Sequence, residues 1–155
     1  KTVKLLDVGC YSGVFIQEMV KSNIFCCGVD VHRELMGFLD CDNLDKRLEY
    51  KFGSCENIPY TNERFDVITV FDTLEHVVDL DKSISEIERV CKSDGMVIIN
   101  LPRMTLGYVD DSHEHMRMFD DDDINRIWGS KKNFNFEFCK DELDRPTSFI
   151  TYTNE

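Results

Sequence analysis

The sequence predicts an α/β fold built on a doubly wound, mainly parallel sheet that ends in an antiparallel C-terminal hairpin. Three observations support this class. Short apolar segments alternate regularly with amphipathic ones, a glycine-bearing turn follows the first apolar segment, and no helical pattern separates the last two. We expect residues 1–155 to form a single domain, because the chain is long enough for one sizeable core and contains no repeats or linker.

The predicted parallel strands are short and apolar. The segment FDVITVF at 65–71 is bounded by polar residues, and the near-continuous apolar run at 96–101 is typical of a strand buried on both faces. In chain order, parallel strands are predicted at 3–8, 24–29, 47–52, 65–71 and 96–101, and the two strands of the hairpin at 134–139 and 148–152.

Four helices are predicted between these strands, at 13–21, 33–39, 79–92 and 120–128. The third is the clearest, because Asp79 precedes it and its apolar residues recur at helical spacing. A turn at 93–95 should follow it. The acidic run at 120–123 complements the positive end of a helix dipole, so we interpret it as a solvated helix start rather than a metal site. Trp128 is expected to lie in the core.

The charge balance of the chain is strongly acidic, with 30 Asp and Glu against 18 Lys and Arg and a net charge of −12. Binding to a phosphate backbone depends on clustered Lys and Arg, so a nucleic-acid partner is disfavoured. No apolar run approaches the ~18–20 residues that span a bilayer. These features disfavour a nucleic-acid partner and a membrane span, and they leave the oligomeric state open.

The seven cysteines are scattered and form no CxxC pair, so neither a zinc framework nor a disulfide scaffold is indicated. A reducing, cytoplasmic location is therefore expected. The chain begins on Lys1, almost inside a predicted strand. We expect from this that an N-terminal segment is missing from the sequence.

The stretch DVGCYSG at 7–13 marks a candidate ligand loop. Glycine lets the backbone approach a ligand closely at Gly9, and it permits tight packing at Gly13, where the helix begins. Asp30 closes the next strand, 23 positions after Asp7 (30 − 7), which is near the ~20-residue spacing of a ribose-binding acid. By itself this pattern fits either a nucleotide loop or a tight turn with Asp30 as a helix cap.

Five stretches carry a family resemblance, in the order DVGCYSG, GVDVHRE, GSCENIPY, RFDVI and FDTLEHV. This order resembles the class I S-adenosylmethionine-dependent methyltransferases, and most closely their small-molecule group, from about residue 3 to residue 102. The resemblance implies a Rossmann-like fold and the cofactor S-adenosyl-L-methionine, with S-adenosyl-L-homocysteine as product. It also implies methyl transfer to an oxygen or nitrogen of a sugar-, lipid- or quinone-like acceptor.

The resemblance further implies roles for individual residues. The loop 9–13 would wrap the methionine end of the cofactor, with Asp7 supporting the loop and the ligand's amino group. Asp30 would hold the ribose hydroxyls, Ser54 and Cys55 would lie at the adenine edge, and Phe71 would line the pocket beside the methionine part. The full set of expected cofactor-binding residues is Asp7, Gly9, Cys10, Gly13, Asp30, Val31, Ser54, Cys55, Glu56 and Phe71.

Two positions depart from the family pattern. Tyr11 stands where a glycine is usual, and its side chain is expected to point outward or over the ligand. Ser54 stands where an acid commonly meets the adenine amino group. A serine hydroxyl still accepts a hydrogen bond, and Glu56 is the alternative acid.

Two histidines, His76 and His115, are the candidate catalytic residues near the acceptor. Together with Asp72 and Glu75 they also form a candidate ligand set for a divalent ion that polarises an acceptor oxygen. Some ubiquinone-pathway and small-RNA terminal methyltransferases resemble this layout and use a metal. Because LEHV is common in metal-independent relatives, the sequence favours a site without a metal.

Another position, Arg117, lies in the stretch HMRMF, which resembles a segment of many relatives. This arginine is expected to organise the loop or to meet an anionic substrate, and a surface salt bridge is the alternative.

Two other functions share parts of this pattern. An NAD-binding oxidoreductase uses the same strand, glycine turn and acid, but its GxGxxG pattern fails here at Tyr11. A non-catalytic or truncated module that keeps the fold and the cofactor site is the second alternative.

Overall fold

The computed structural model describes residues 2–33, 45–104, 114–141 and 145–155. In chain order its elements are β1 (Lys4–Val8), α1 (Val14–Met19), β2 (Phe25–Asp30), β3 (Leu48–Phe52), β4 (Phe65–Phe71), α2 (Leu80–Val90), β5 (Cys91–Pro102), α3 (Asp121–Trp128), β6 (Lys132–Lys140) and β7 (Pro146–Thr153), with a short 3-10 turn, Val20–Ser22, extending α1.

The seven strands form one sheet in the order β3-β2-β1-β4-β5-β7-β6. Strands β1 to β5 pair in parallel, and β7 lies antiparallel between β5 and β6. This topology confirms the predicted doubly wound sheet with an antiparallel C-terminal hairpin at one edge. It also brings the carboxyl ends of β1, β2 and β4 to the same edge of the sheet, where β1 is flanked by the other two.

The largest difference from the sequence prediction lies at the start of β5. A helix to residue 92 and a turn at 93–95 were predicted, but α2 ends at Val90 and β5 already begins at Cys91. The pairing shifts within this segment, because Phe65 pairs with Cys91 whereas Val67 pairs with Met96. Asp94 has the left-handed backbone conformation that the predicted turn needs, with φ of 62°. It therefore lies in an irregularity inside β5 and not in a separate turn. The helix predicted at 33–39 falls, apart from Arg33, outside the described residues.

Side-chain caps fix where the two longer helices begin. The Asp79 carboxylate accepts a hydrogen bond from the Lys82 amide at the start of α2, and the Asp120 carboxylate accepts one from the Asp123 amide at the start of α3. Such caps satisfy amides that the helix itself leaves unpaired. The acidic run at 120–123 is thus the solvated helix start that the sequence predicted.

The main core lies between the sheet and the helices α2 and α3, and Trp128 is completely buried in it, as predicted. A smaller core under α1 contains Leu5, Ile16, Val20 and Cys26. Among the described residues, no helix is long and apolar enough to cross a bilayer. The two cores hold the strands rigidly and leave their carboxyl ends free to form a site.

Candidate active site

A cavity of about 1070 Å³ opens at the edge of the sheet where β1, β2 and β4 end. Ligands of open α/β sheets bind in this position, outside the carboxyl ends of the strands. The candidate catalytic residue His76 lies in its wall. So do seven of the predicted cofactor-binding residues, namely Gly9, Asp30, Val31, Ser54, Cys55, Glu56 and Phe71.

The two glycines of the DVGCYSG loop both have left-handed backbone conformations, with φ of 75° at Gly9 and 71° at Gly13. A side chain at Gly9 would overlap Thr73 Oγ1, and one at Gly13 would overlap the hydroxyl of Tyr50. The loop therefore requires glycine because of neighbouring protein atoms as well as backbone geometry.

The loop is tied to the end of β2 by Asp30, whose side chain is only 6% exposed. Its Oδ2 accepts a hydrogen bond from the Tyr11 amide at 2.7 Å, and its Oδ1 accepts one from the His32 amide at 2.8 Å. An ionised carboxylate has about four acceptor positions, so Asp30 keeps acceptor capacity beyond these two bonds. Tyr11 adopts φ of 46° with its ring exposed at the cavity wall, which fits a tolerated variant of the loop.

The segment after β3 forms another wall of the cavity. Ser54 Oγ accepts a hydrogen bond from the Glu56 amide at 3.0 Å. Glu56 Oε1 accepts bonds from the Val78 and Asp79 amides at 2.8 and 2.9 Å, where the chain enters α2. Ser54 Oγ and one oxygen of Glu56 are thus each engaged in a hydrogen bond within the protein, and the role of either residue at the adenine edge remains a prediction.

Three of the predicted cofactor-binding residues, Asp7, Cys10 and Gly13, are buried behind the wall of this cavity. Asp7 accepts a hydrogen bond from Thr69 Oγ1 at 2.7 Å, and burial raises its pKa to about 7. Burial likewise raises the pKa of the Cys10 thiol to about 12, which makes it a poor nucleophile. These three buried residues support the DVGCYSG loop from the side that faces away from the cavity. Their direct roles in cofactor binding remain predictions.

A second, smaller cavity of about 190 Å³ adjoins the first and shares Asp72 and His76 with it. Its wall also contains Glu75 and His115, so the structure brings together all four residues of the candidate polar cluster. The other residues in its wall are Asn100, Pro102, Asp141, Arg145, Pro146 and Thr147. Asp72 and His76 therefore lie at the junction of the two cavities.

Three members of this cluster are close neighbours. The ring centroids of His76 and His115 are 5.0 Å apart, and His76 Nε2 lies 3.8 Å from Glu75 Oε1. Their possible ligand atoms all lie within 4.8 Å of one another, a grouping that could hold a cation. Glu75 is only 1% exposed, and burial raises the pKa of its carboxyl group.

The loop that carries Glu75 and His76 is held by Arg117. The guanidinium donates hydrogen bonds to the carbonyl oxygens of Leu74, Val77 and Val78, at 2.9, 2.5 and 3.1 Å. Of the roles that the sequence allows for Arg117, the structure shows that of organising a loop, and this loop is the one that carries Glu75 and His76.

Sequence reasoning missed Thr73, Tyr50 and Glu114. Thr73 and Tyr50 restrict the two glycines of the loop, and the carbonyl oxygen of Glu114 lies 3.0 Å from His76 Nδ1. All three act across long sequence separations, so no local pattern pairs them with their partners. The best signal was the position of Thr73, two residues after the end of a predicted strand that ends at the site.

Comparison with known proteins decides the family. A family model described as a methyltransferase domain matches residues 6–99, which is more than half of the chain. The chain belongs to this methyltransferase domain family. The match confirms the resemblance to class I methyltransferases and favours it over an NAD-binding oxidoreductase.

Curated relatives of this methyltransferase domain act on different acceptors. The chain is 32% identical over 103 residues to the human mitochondrial ubiquinone biosynthesis O-methyltransferase, covering 63% of the chain and 28% of the relative. It is 29% identical over 104 residues to ajmaline N-methyltransferase of Rauvolfia serpentina, covering 64% and 36%. The chain spans less than half the length of the curated relatives it matches.

A solved structure supports the fold. Phosphoethanolamine N-methyltransferase 2 of Haemonchus contortus, solved in complex with S-adenosyl-L-methionine, superposes with a TM-score of 0.80 at 15% identity, covering 99% of the chain and 49% of that protein. The likeness therefore extends beyond residues 6–99 to the C-terminal strands.

Proposed function

We propose that this domain binds S-adenosyl-L-methionine in the larger cavity and transfers its methyl group to an oxygen or nitrogen of a small-molecule acceptor. The observation that carries the proposal is the cavity itself. In a methyltransferase family member, it opens where β1, β2 and β4 end, with the Gly9 turn and Asp30 in its wall.

The residues of the cavity fit the parts of this cofactor. Asp30 accepts hydrogen bonds from the two ribose hydroxyls. Val31, Cys55 and Val77 offer apolar contacts to the adenine, and the Ser54 hydroxyl lies near its polar edge. Phe71, which lies in the wall of the larger cavity, would line the pocket beside the methionine part. The volume lies slightly above the ~300–1,000 Å³ range of ligand pockets, so it leaves room for the acceptor's reacting atom.

The bound cofactor supplies an electrophilic methyl group on a sulfonium. The protein's task is then mainly to align the acceptor atom with the carbon–sulfur bond and to exclude water, and such alignment can supply much of the rate. A hydroxyl acceptor must also lose its proton, and His76, at the junction of the two cavities, is placed to accept it.

The acceptor is proposed by class only. Relatives with O-, N- and C-methyltransferase activity all match this chain at similar identity, so the oxygen or nitrogen nucleophile rests on the polar lining of the second cavity and not on these matches. The polar lining of the second cavity supports an acceptor with a small polar head, as a sugar-, lipid- or quinone-like molecule has.

Calorimetry with S-adenosyl-L-homocysteine, S-adenosyl-L-methionine and NAD tests the proposal. We expect both adenosyl compounds to bind and NAD not to bind. NAD binding without binding of the adenosyl compounds would favour the oxidoreductase alternative. Binding of the cofactor without turnover of any O- or N-nucleophile would favour the non-catalytic module.

The variant Asp30→Asn sharpens this test. It keeps the size of the side chain but removes the charge that strengthens hydrogen bonds to the ribose hydroxyls, each worth about 1.5–3 kcal/mol. Affinity for S-adenosyl-L-homocysteine should fall about tenfold to hundredfold. Asp122→Asn, on the exposed first turn of α3, is the matched control and should bind normally. Unchanged affinity in Asp30→Asn would contradict the ribose role.

A further inference from the structure

The carboxylate that is proposed to hold the ribose has a further hydrogen-bond partner, the ring of His32. Nδ1 of this ring lies 3.0 Å from Asp30 Oδ1, the same oxygen that accepts a bond from the His32 amide at 2.8 Å. An ionised carboxylate can only accept, so Nδ1 carries the proton of this bond. His32 thus holds Asp30 Oδ1 through both its backbone and its side chain.

The two oxygens of Asp30 are therefore unequally occupied. Each carboxylate oxygen has about two acceptor positions. His32 takes both positions on Oδ1, whereas Oδ2 accepts the Tyr11 amide at 2.7 Å and keeps one position, as far as the bonds among the described residues show. Two ribose hydroxyls that both donate to Asp30 need one position more than this. One of the bonds from His32 therefore has to break when the ribose binds.

The ring of His32, and not its backbone amide, is the partner that can leave. The amide belongs to the backbone that continues directly from β2, whose last residue is Asp30. The side chain of His32 is 61% exposed, in contrast to the 6% of Asp30. An exposed side chain changes rotamer rapidly, and its nitrogens then bond to water at little net cost.

The ring occupies this position at the wall of the larger cavity, next to Tyr11. The two ring centroids are 6.3 Å apart with an edge-to-face orientation, which is a favourable geometry for aromatic rings. Tyr11 thus contacts both parts of the arrangement, the carboxylate through its amide and the imidazole through its ring. This contact exists because a tyrosine stands where the family usually has a glycine.

We propose that His32 sets the affinity of the cofactor site by competing with the ribose for Asp30. In the ligand-free protein its ring occupies an acceptor position on Oδ1, and the ring leaves that position when an adenosyl ligand binds. The inference rests on the proposed function, because it requires Asp30 to bind the ribose hydroxyls. S-adenosyl-L-methionine and S-adenosyl-L-homocysteine have the same ribose, so the competition weakens the binding of both by the same factor.

Nuclear magnetic resonance of the protein with isotope-labelled histidine observes the ring directly. The hydrogen bonds of an imidazole determine which nitrogen carries the proton, and in water this is mainly Nε2, so a proton on Nδ1 reports the bond to Asp30. The spectra are recorded at pH 8, where histidine is ordinarily neutral. We expect His32 to carry its proton on Nδ1 in the ligand-free protein and on Nε2 in the complex with S-adenosyl-L-homocysteine. A proton on Nε2 before the ligand is added, or on Nδ1 in the saturated complex, would overturn the proposal.

The substitutions His32→Leu and His32→Asn form a matched pair, because the new side chains are similar in size and both lack the ring. Only asparagine keeps an N–H group that can donate to Asp30 Oδ1. We expect His32→Leu to bind S-adenosyl-L-homocysteine about twofold to fivefold more tightly than His32→Asn, the range expected for an exposed bond to a charged group. S-adenosyl-L-methionine should give the same ratio. Equal affinities, or tighter binding by His32→Asn, would contradict the competition.

The same pair in an Asp30→Asn background controls for a direct contact between the leucine and the ligand. The charge that strengthens the bond is then gone, so the ratio of the two affinities should fall close to one. A ratio that persists in this background would mean that the leucine itself contacts the ligand, and it would overturn the proposal.

Calorimetry on the parent protein separates this inference from the proposed function. If the parent binds S-adenosyl-L-homocysteine while the proton of His32 stays on Nδ1 and the two variants bind equally, the competition is wrong and the proposed function stands. If the parent binds neither adenosyl compound, the proposed function fails and the inference fails with it. The two failures therefore differ in a measurement on the parent protein alone.

Discussion

Asp7 is a carboxylate in the interior of the sheet, directly behind the ligand loop. It is 4% exposed, and its side chain accepts a hydrogen bond from Thr69 Oγ1. Burial disfavours the charged form, and the carboxylate of Asp30 adds repulsion, so the pKa is raised from 3.8 to about 7. The protein therefore carries a residue whose ionisation opposes folding near neutral pH.

The effect of this residue on stability has a definite sign. Because the folded state holds the proton more tightly than the unfolded state, the contribution of Asp7 to stability falls as pH rises from about 4 to about 7. Asp7→Asn mimics the neutral form and should remove this loss. Between pH 5 and pH 8, the variant should gain about 3 kcal/mol in free energy of unfolding relative to the parent.

Denaturant unfolding at the two pH values measures this difference directly. Asp122→Asn, an exposed acid-to-amide change, is the control and should follow the parent at both pH values. Parallel curves for the parent and Asp7→Asn would show that Asp7 is not protonated in the folded protein near pH 5.

The connection between β4 and α2 is an element without regular structure that nevertheless carries much of the site. It is held from two sides. Glu56 accepts hydrogen bonds from the amides at its end, and Arg117 donates hydrogen bonds to three of its carbonyl oxygens. Satisfied backbone groups give a loop the rigidity that a helix or strand has by itself. Positions of the polar side chains on this loop therefore depend on residues far away in sequence.

Removing the arginine should loosen this loop. Arg117→Ala leaves three carbonyl oxygens without their charged donor, and we expect a loss of about 2 kcal/mol in free energy of unfolding. Hydrogen exchange of the amides at 74–79 should increase at the same time. Arg126→Ala, which removes an exposed arginine on α3 that pairs with Asp123, is the control and should change both quantities little. Unchanged exchange at 74–79 in Arg117→Ala would contradict the role of Arg117.

At the scale of the whole molecule, the sheet is stabilised mainly on the side of α2 and α3. Trp128 lies at the centre of that side, fully buried and packed near Phe119, with a ring-centroid distance of 6.0 Å. Trp128→Ala should cost about 3–5 kcal/mol in free energy of unfolding, because it leaves a large cavity in a core that cannot collapse fully. Denaturant unfolding measures this cost.

Phe138→Ala is the aromatic control for this variant. Phe138 is 52% exposed on β6, and its removal should cost about 1 kcal/mol or less, including its contact with the Arg103 guanidinium. If the two variants are equally destabilised, Trp128 does not anchor the main core.

The sequence was sufficient for the order and type of most elements, since alternating apolar patterns report burial locally. It also pointed to Gly9, Gly13 and Asp30, because these residues lie at or just after the ends of two predicted strands, which meet at one edge of the sheet. The contacts of Glu56 and Arg117 bridge about 22 and 40 positions, and no local pattern contains them. The irregularity at Asp94 was predicted as a turn because its residues favour one, although the pairing of β4 with β5 continues through it.

The position of β7 between β5 and β6 has a consequence for the order of synthesis. On the ribosome, β6 emerges before β7, yet it lies at the outer edge of the sheet and pairs with β7. Until residues 146–153 have emerged, β5 would expose an unpaired edge and β6 would lack its neighbour, a state that favours association with other nascent chains. Completion of this sheet therefore depends on a strand that is translated after the other six described strands.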